Sequence, residues 1–404
     1  MVSETAEKNP KNKAALFVLY LSMFLVVAGV GIITPLFPFF AKEMGANAFD
    51  LGFMIALFSL AQVIAAPFWG RLSDRVGRKP VLIAGLVGYA LSYYLLLWSS
   101  NLQVLMLARV IGGLLSASAF PSAQAYVADL TSAEKRADGM ANMSAASNLG
   151  FLLGPALGSL FSIFGIRAAF AIGGSLILVT GILGAVLLPA LRIQTSLIKE
   201  NRNQDPRATW SAMFGRDSTL LWVTMLTSFG SITMYSILGY FMIEKFNAVT
   251  SDTAIVYTLM GGISVLLQVF IVSRALKWLG EDFLVISSLL LGVVGFIGLV
   301  YAPSLFVLYV WVVVIGASMA LSRPAILVAL SRRTRLGQGL TMGLQGSFTN
   351  FGQVIGPLWA GWAFGFALSV PYWSSVAAYA LAIALQFAAY RAVRGVPSFE
   401  DKIA

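Results

Sequence analysis

Cysteine and histidine are absent from this chain of 404 residues, and charged residues make up only 11% of it. Without thiols and imidazoles there is no disulfide framework, thiolate nucleophile or imidazole base, and hardly any type of zinc site remains open. Soluble domains carry about 25% charged residues, so the shortage of charge excludes an ordinary cytoplasmic enzyme. No G-x-x-x-x-G-K-[ST] loop occurs, which leaves ATP hydrolysis without support. We therefore expect no metal, no cofactor and no enzymatic activity.

Apolar residues dominate instead, since 58% of the chain is hydrophobic and its mean hydropathy is +0.84. A membrane-spanning helix needs about 20 predominantly apolar residues, and on this criterion the sequence predicts twelve such helices. The predicted spans are about 14–41, 51–69, 80–98, 102–127, 139–164, 168–190, 218–243, 253–273, 283–302, 304–330, 338–365 and 371–390. The first apolar run is too long for a cleaved signal peptide, so we expect it to be retained. The fold class is an all-α membrane protein.

Basic residues are distributed very unevenly between the predicted spans. Alternate connections and both chain ends hold nearly all of them, whereas the opposite connections hold only Lys42, Arg167 and Lys245. Since basic residues near helix ends stay on the cytoplasmic side, both termini are predicted to be cytoplasmic. The net charge of +10 then reflects membrane topology, and we expect no nucleic-acid partner.

One long polar connection divides the predicted spans into two sets of six. It predicts an N-terminal six-helix bundle at 1–190, a cytoplasmic linker at 191–217 and a C-terminal six-helix bundle at 218–404. An internal repeat supports the division, because NLGFLLGP at 148–155 returns as NFGQVIGP at 350–357. Parallel repeats of this kind place a substrate near the membrane midplane, between two halves that rock about it.

The turn between spans 2 and 3 reads GRLSDRVGRK at residues 70–79 and is followed by a proline. Gly77 suits the tight bend, and the basic residues hold the turn at the cytoplasmic surface. Asp74 is a lone carboxylate among four cations, so it can accept charge-assisted hydrogen bonds in one conformation and release them in another. The alternative is that the whole turn is only a positively charged anchor.

Spans 4 and 5 carry two further motifs. Span 5 contains Gly150, Gly154, Pro155 and Gly158; glycines four residues apart let helix backbones approach closely, and the proline permits a kink. Generic helix packing is the alternative interpretation of this stripe. Span 4 contains Arg109 followed three residues later by a pair of glycines.

Together these motifs resemble those of the major facilitator superfamily, and more closely its drug and proton antiporters of 12 spans. The turn matches the superfamily signature G-x-L-x-D-R-x-G-R-K, span 5 is similar to the exporter signature, and the Arg109 segment is similar to the antiporter arginine motif. Further stretches resemble Gram-positive multidrug efflux pumps and tetracycline efflux pumps. The resemblance implies a conformational latch formed by Gly70, Asp74, Arg75, Gly77 and Arg78. The repeated copy of the turn has Lys277 in place of Asp74, so the latch is expected only in the N-terminal half.

Charges inside the membrane are functional candidates because each costs roughly 2.5–3.5 kcal/mol to insert. Only Arg109 and Arg323 lie well inside the predicted spans, whereas the carboxylates fall in loops or near helix ends. Each arginine is either a structural residue or a cavity-facing one. Where the resembled multidrug pumps carry acidic residues, this chain has Tyr235 and Ala320. We therefore name Asp129, near the cytoplasmic end of span 4, as a possible proton site.

Polar side chains inside the predicted spans supply the remaining candidates for binding substrate or coupling transport. They are Gln62, Asn142, Asn148, Tyr235, Gln268, Gln345 and Asn350. Each of them can instead form an interhelical hydrogen bond that serves only packing.

The sequence as a whole predicts a bacterial secondary exporter of amphiphilic, drug-like molecules, located in the cytoplasmic membrane. With no ATP-binding loop, its energy would come from a gradient, and a proton gradient is the expectation from the resemblance. A lipid or glycolipid translocase of the same fold is the alternative, while the span 5 signature argues against an importer. We expect a monomer whose partners are its small-molecule substrate and the bilayer.

Overall fold

The computed structural model describes residues 10–132, 135–189, 218–333 and 338–394, which contain helices and no strands. The helices are α1 Pro10–Glu43, α2 Ala48–Val76, α3 Arg78–Trp98, α4 Leu102–Ser116, α5 Ala119–Leu130, α6 Arg136–Ser162, α7 Ile166–Leu187, α8 Thr219–Phe246, α9 Thr250–Phe270, α10 Val272–Tyr301, α11 Leu305–Arg333, α12 Gln338–Phe364 and α13 Val370–Arg394. The predicted all-α fold class is confirmed.

Ten segments in the described ranges are long and apolar enough to cross a membrane, with α4 and α5 together forming one of them. Helices α6 and α12 are not among the ten, although each has 27 residues. Both are enriched in glycine and polar residues, and both carry the internal repeat. A multi-span membrane protein is thus confirmed, while the number of twelve spans stays a prediction.

Span 4 was predicted as one helix over 102–127, but the structure interrupts it after Ser116. Pro121 favours the interruption, because it has no N–H to donate to the carbonyl of Ala117 four residues earlier. The break is fixed to α3, because the Ser118 hydroxyl donates to the Val81 carbonyl at 3.2 Å. It is also tightly packed, since a Cβ placed on Gly85 would lie 2.9 Å from the backbone nitrogen of Ala119.

Two compact units make up the described chain. The first contains α1 to α7 together with Gly239–Gly261, and the second contains the remainder of α8 and α9 with α10 to α13. Within the first unit α1 packs most extensively against α6, and it also contacts α7 and α5. Within the second, α10 packs against α11 and α13. The boundaries predicted at 1–190, 191–217 and 218–404 stay predictions, and the linker lies outside the described residues.

A glycine turn occurs at corresponding places in both units. Gly77 separates α2 from α3 with φ 102° and ψ 159°, and Gly280 breaks the regular geometry inside α10 with φ 75° and ψ 163°. These left-handed conformations are open to glycine but strained for other residues. Because Gly280 aligns with Gly77 in the two copies of the turn, the copy with Lys277 keeps the bend although it lacks the carboxylate.

Candidate functional site

Arg78 is the centre of an ion-pair network at the α2–α3 turn. Its Nη1 donates to Asp74 Oδ1 at 2.5 Å and to Ser73 Oγ at 3.2 Å, while its Nε donates to Asp129 Oδ2 at 3.4 Å. The network connects the ends of α2 and α5. The three charged side chains are 28% to 47% exposed, and exposed pairs are worth only about 0–1 kcal/mol. Such contacts are weak enough to break and re-form in a transport cycle.

The other members of the predicted latch make no comparable contacts within the described residues. Arg75 is exposed, and a side chain placed on Gly70 would meet no atom within 4 Å. Asp129, named above as a possible proton site, lies in the network as a partner of Arg78. The structure therefore brings Asp74, Arg78 and Asp129 together.

The span 5 glycines lie directly against the backbone of α1. A Cβ on Gly150 would be 2.4 Å from the Phe24 carbonyl oxygen, one on Gly154 would be 2.6 Å from that of Ala28, and one on Gly158 would be 2.7 Å from that of Ile32. Pro155 belongs to the same contact, since its Cδ lies 2.9 Å from a Cβ built on Gly31. The repeat in the second unit packs in a similar way, because a Cβ on Gly352 would lie 2.9 Å from the Met225 carbonyl oxygen of α8.

Replacement of Gly154 by alanine should therefore damage the protein even though alanine is the better helix former. The added methyl group would meet backbone that cannot move away like a flexible side chain, and overpacking of this kind costs about 1–3 kcal/mol. We expect Gly154→Ala to lower thermal stability and transport, and Gly154→Leu to lower both further. Thermal unfolding and efflux assays on purified protein measure these effects.

The matched control is Gly346→Ala, because a Cβ at Gly346 of α12 meets no atom within 4 Å. It should be neutral or slightly stabilising, since alanine gains about 0.5–1 kcal/mol over glycine in a helix. Wild-type stability and efflux in Gly154→Leu would contradict close packing of α6 against α1.

Arg109 lies in α4, seven residues or about 10 Å from the start of the helix. Its guanidinium carbon is 4.6 Å from the ring centroid of Phe37 and 4.4 Å from that of Phe58. The buried Nε has no hydrogen-bond partner in the described chain. The charge is therefore held between two aromatic faces, each worth about 0.5–2 kcal/mol, which offsets much of the insertion cost.

The glycine pair after Arg109 allows α4 to pack closely against α2 and α3. A Cβ on Gly113 would lie 2.4 Å from the Phe58 carbonyl oxygen, and one on Gly112 would lie 2.9 Å from the Cβ of Ser92. Only a residue without a side chain permits α4 to approach α2 and α3 this closely. The motif thus positions the guanidinium beside the Phe58 ring.

Acidic residues in the described part of the first unit all lie near helix ends. They are Glu43, Asp50, Asp74, Asp129, Asp138, Glu244 and Asp252. Of these, Glu244 accepts from Lys42 at 2.7 Å, and Asp129 and Asp74 pair with Arg78. No salt bridge of Arg109 is present among the described residues. The described part of this unit therefore holds a positive charge inside a predicted span without a carboxylate partner.

Among the polar candidates, Gln62 forms the interhelical hydrogen bond that was the structural alternative. Its Nε2 donates to Ser116 Oγ of α4 at 3.2 Å. Asn148 is half-buried and has a partner, whereas Asn142 is exposed at the start of α6. None of these three side chains is hydrogen-bonded to Arg109 in the described part of the chain.

The remaining candidates belong to the second unit. Arg323 is exposed in α11, 18 residues after the start of this helix and ten before its end. Tyr235, Gln268, Gln345 and Asn350 are half-buried on α8, α9 and α12. Ala320, in place of an acidic residue, is 3% exposed and packs in the core. The second unit therefore also has an exposed arginine, and it has alanine where the resembled pumps have an acidic residue.

Sequence reasoning missed Phe37 and Phe58, which hold the arginine. It also missed the contacts that attach Gly239–Gly261 to α1 and the turn that follows it. The Tyr240 hydroxyl donates to the Ala46 carbonyl, and the Thr253 hydroxyl donates to the Pro35 carbonyl at 3.2 Å. Lys42 of α1 and Glu244 of α8 pair in the same region. The two opposite charges are visible in the sequence, but counting charges does not show that they are partners.

Comparison with known families gives one match over most of the chain. The model of the Major Facilitator Superfamily matches residues 19–334. The quinolone resistance protein NorA of Staphylococcus aureus is 31% identical over 365 residues, covering 89% of this chain and 92% of the relative. Multidrug resistance protein 2 of Bacillus subtilis is 28% identical over 377 residues, covering 91% and 93%.

Solved structures show the same fold. A bacterial homologue of the human lysosomal transporter Spinster, in an inward-facing and unoccupied conformation, superposes with a TM-score of 0.75 at 16% identity, over 95% of this chain and 98% of the other. The human organic anion transporter MFSD10 superposes with a TM-score of 0.65 at 22% identity, over 94% and 100%. The structural neighbours are named as transporters and the relatives in sequence as drug-resistance proteins.

Proposed function

Because the chain belongs to the Major Facilitator Superfamily, we propose that it exports amphiphilic, drug-like small molecules across the cytoplasmic membrane of a bacterium. Two observations support export over import. The relatives NorA and multidrug resistance protein 2 are resistance proteins, and each covers about nine-tenths of this chain. The span 5 glycines, which resemble the exporter signature, lie where α6 meets α1. The relatives do not favour the alternative of a lipid or glycolipid translocase.

The mechanism we propose is alternating access by two six-helix bundles that rock about a central substrate. It includes twelve spans, both termini in the cytoplasm and a monomer as the working unit. The repeated motif at Gly154 and Gly356, and the repeated turn at Gly77 and Gly280, support two halves of common design. The Arg78 network would be made in one orientation of the halves and broken in the other.

The two arginines bear most directly on the charge of the substrate. Arg109 is half-buried, its guanidinium lies against two rings and it has no carboxylate partner in the described residues, while Arg323 is exposed in the second unit. A permanent cation entering such a site would find no compensating charge, which is costly in a medium of low dielectric. An anionic or zwitterionic amphiphile would supply the missing negative charge to Arg109.

Proton antiport is proposed as the coupling reaction, but without a carboxylate at the midplane. The positions that are acidic in the resembled pumps hold Tyr235 and Ala320. Proton transfer would then involve groups nearer the membrane surface, of which Asp129 and Asp74 are the candidates because both contact Arg78. Coupling through Arg78 would link protonation to the same contacts that change with conformation.

Transport by purified protein in liposomes tests the function. Three amphiphiles matched in size, one anionic, one neutral and one monocationic, are measured with and without an imposed proton gradient. We expect export of the anionic and neutral compounds, faster with the gradient, and weak export of the cation. Strong gradient-driven export of the monocation that survives Asp74→Asn and Asp129→Asn would contradict both the charge preference and the proposed proton route.

A further inference from the structure

A groove with a volume of about 490 Å³ lies in the first unit between the N-terminal turns of α1 and α6. Its walls are two helical stripes of identical spacing. One is formed by Lys13, Leu16, Phe17 and Tyr20 of α1, and the other by Lys135, Asp138, Gly139 and Asn142 where α6 begins, with Thr131 at the end of α5. Residues at i, i+3, i+4 and i+7 share one face of a helix, so each stripe presents its whole length to the groove.

The chemistry of the groove favours an anion that also offers hydrogen bonds. Two ammonium groups and one carboxylate leave the lining with a net formal charge of +1. The Thr131 hydroxyl donates to the Val127 carbonyl at 2.8 Å, which leaves its oxygen free to accept. Tyr20 and Asn142 add further polar groups. The two helices also begin at this end, and helix N-termini are electropositive.

The predicted position of the groove at the cytoplasmic surface favours the membrane as the source of the anion. Lys13 to Tyr20 spans seven residues, or about 10 Å along α1, which is comparable with the depth of a lipid headgroup region. Phe17 is 65% exposed beside the two lysines, so an apolar surface adjoins the cationic one. Basic pockets between membrane helices on the cytoplasmic side bind anionic headgroups for this reason.

We propose that this groove binds the phosphate of an anionic membrane lipid, with Lys13 and Lys135 pairing with the phosphate. Tyr20, Asn142, Thr131 and Asp138 would hydrogen-bond the remainder of a polyhydroxy headgroup such as that of phosphatidylglycerol. The bound lipid would attach the start of α1 to the start of α6, the two helices whose glycine contact was described above. The inference depends on the cytoplasmic orientation of these helix ends, but not on the identity of the exported substrate.

The test is a lipid titration of the full-length protein in detergent, followed by native mass spectrometry. Phosphatidylglycerol, phosphatidylcholine and inorganic phosphate are the three probes. We expect phosphatidylglycerol to bind well and the other two to bind poorly at the same concentrations. In Lys13→Gln/Lys135→Gln the affinity should fall about 25-fold, because each basic residue at an anionic surface contributes about 1 kcal/mol and 1.4 kcal/mol corresponds to a factor of ten.

Two further variants show whether lipid binding depends on the lysines of the groove or on the positive charge of the protein as a whole. Lys13→Arg/Lys135→Arg should retain binding, which also shows that the positions tolerate substitution. Arg274→Gln/Lys277→Gln removes two exposed charges from the second unit and should change the affinity less than about twofold. Equal weakening by this control pair, equally tight binding of phosphatidylcholine, or displacement of the lipid by equimolar inorganic phosphate would each overturn the proposal. Because lipid binding is measured without transport, failure here is distinguishable from failure of the exporter function.

Discussion

Asp74→Asn is expected to reduce efflux up to about five-fold while leaving the protein folded and inserted. Arg78 would lose the charged partner at 2.5 Å, Asp74, and keep its contacts with Ser73 at 3.2 Å and with Asp129 at 3.4 Å. An exposed ion pair contributes up to about 1 kcal/mol, which changes a conformational ratio about five-fold. We expect the variant to favour the inward-facing state. Efflux from liposomes and the accessibility of single cysteines, introduced on each side of this cysteine-free chain, measure the two effects.

A double-mutant comparison shows whether Asp74 acts through Arg78. Arg78→Gln removes the shared partner, so adding Asp74→Asn to it should cause little further loss. Asp129→Asn removes the longer contact and should have an intermediate effect. Glu43→Gln serves as the control, because Glu43 is exposed at the opposite end of the first unit. Near-normal efflux by Asp74→Asn, or additive losses in the double mutant, would reject the latch.

The helices could be predicted from the sequence because each long apolar run requires a helix in the membrane. Most boundaries fall within a few residues of the expected ones, as for α7, predicted at 168–190 and observed at Ile166–Leu187. The break between α4 and α5 was not predicted, although Pro121 was visible. A proline within a membrane helix is compatible with a kink or with continuation, and the outcome here depends on the packing of Ser118 against α3.

The candidate site could be predicted only in part. The motif at the α2–α3 turn places Asp74 and Arg78 four residues apart, so their pairing follows from local geometry. The contact of Arg78 with Asp129 depends on where α5 ends relative to α3, which no local pattern specifies. The rings around Arg109 could not be selected either, because the chain contains 28 phenylalanines and most of them pack or face lipid.

Replacement of Arg109 should change which substrates are exported, with the largest effect on anionic ones. Arg109→Gln removes the charge held by Phe37 and Phe58, and we expect it to lower export of the anionic amphiphile at least ten-fold. Loss of a charge-assisted interaction of about 1.5–3 kcal/mol accounts for a change of this size. Export of a neutral compound of the same size should fall far less. Michaelis constants and maximal rates for both compounds, measured side by side in liposomes, give the ratio.

Arg109→Lys distinguishes charge from shape, because lysine keeps the charge but lacks the planar group that stacks between two rings. We expect Arg109→Lys to retain part of the anion export. Phe58→Leu should also lower anion export, because it removes one of the two rings that contact the guanidinium. If Arg109 instead serves only to support the fold, Gln and Lys variants should lose export of anionic and neutral compounds equally and unfold at lower temperature. An unchanged ratio of anionic to neutral export in a stable Arg109→Gln protein would show that the substrate does not contact this arginine. A selective loss would place the negative group of the substrate beside the two rings, where the described part of the first unit supplies no carboxylate of its own.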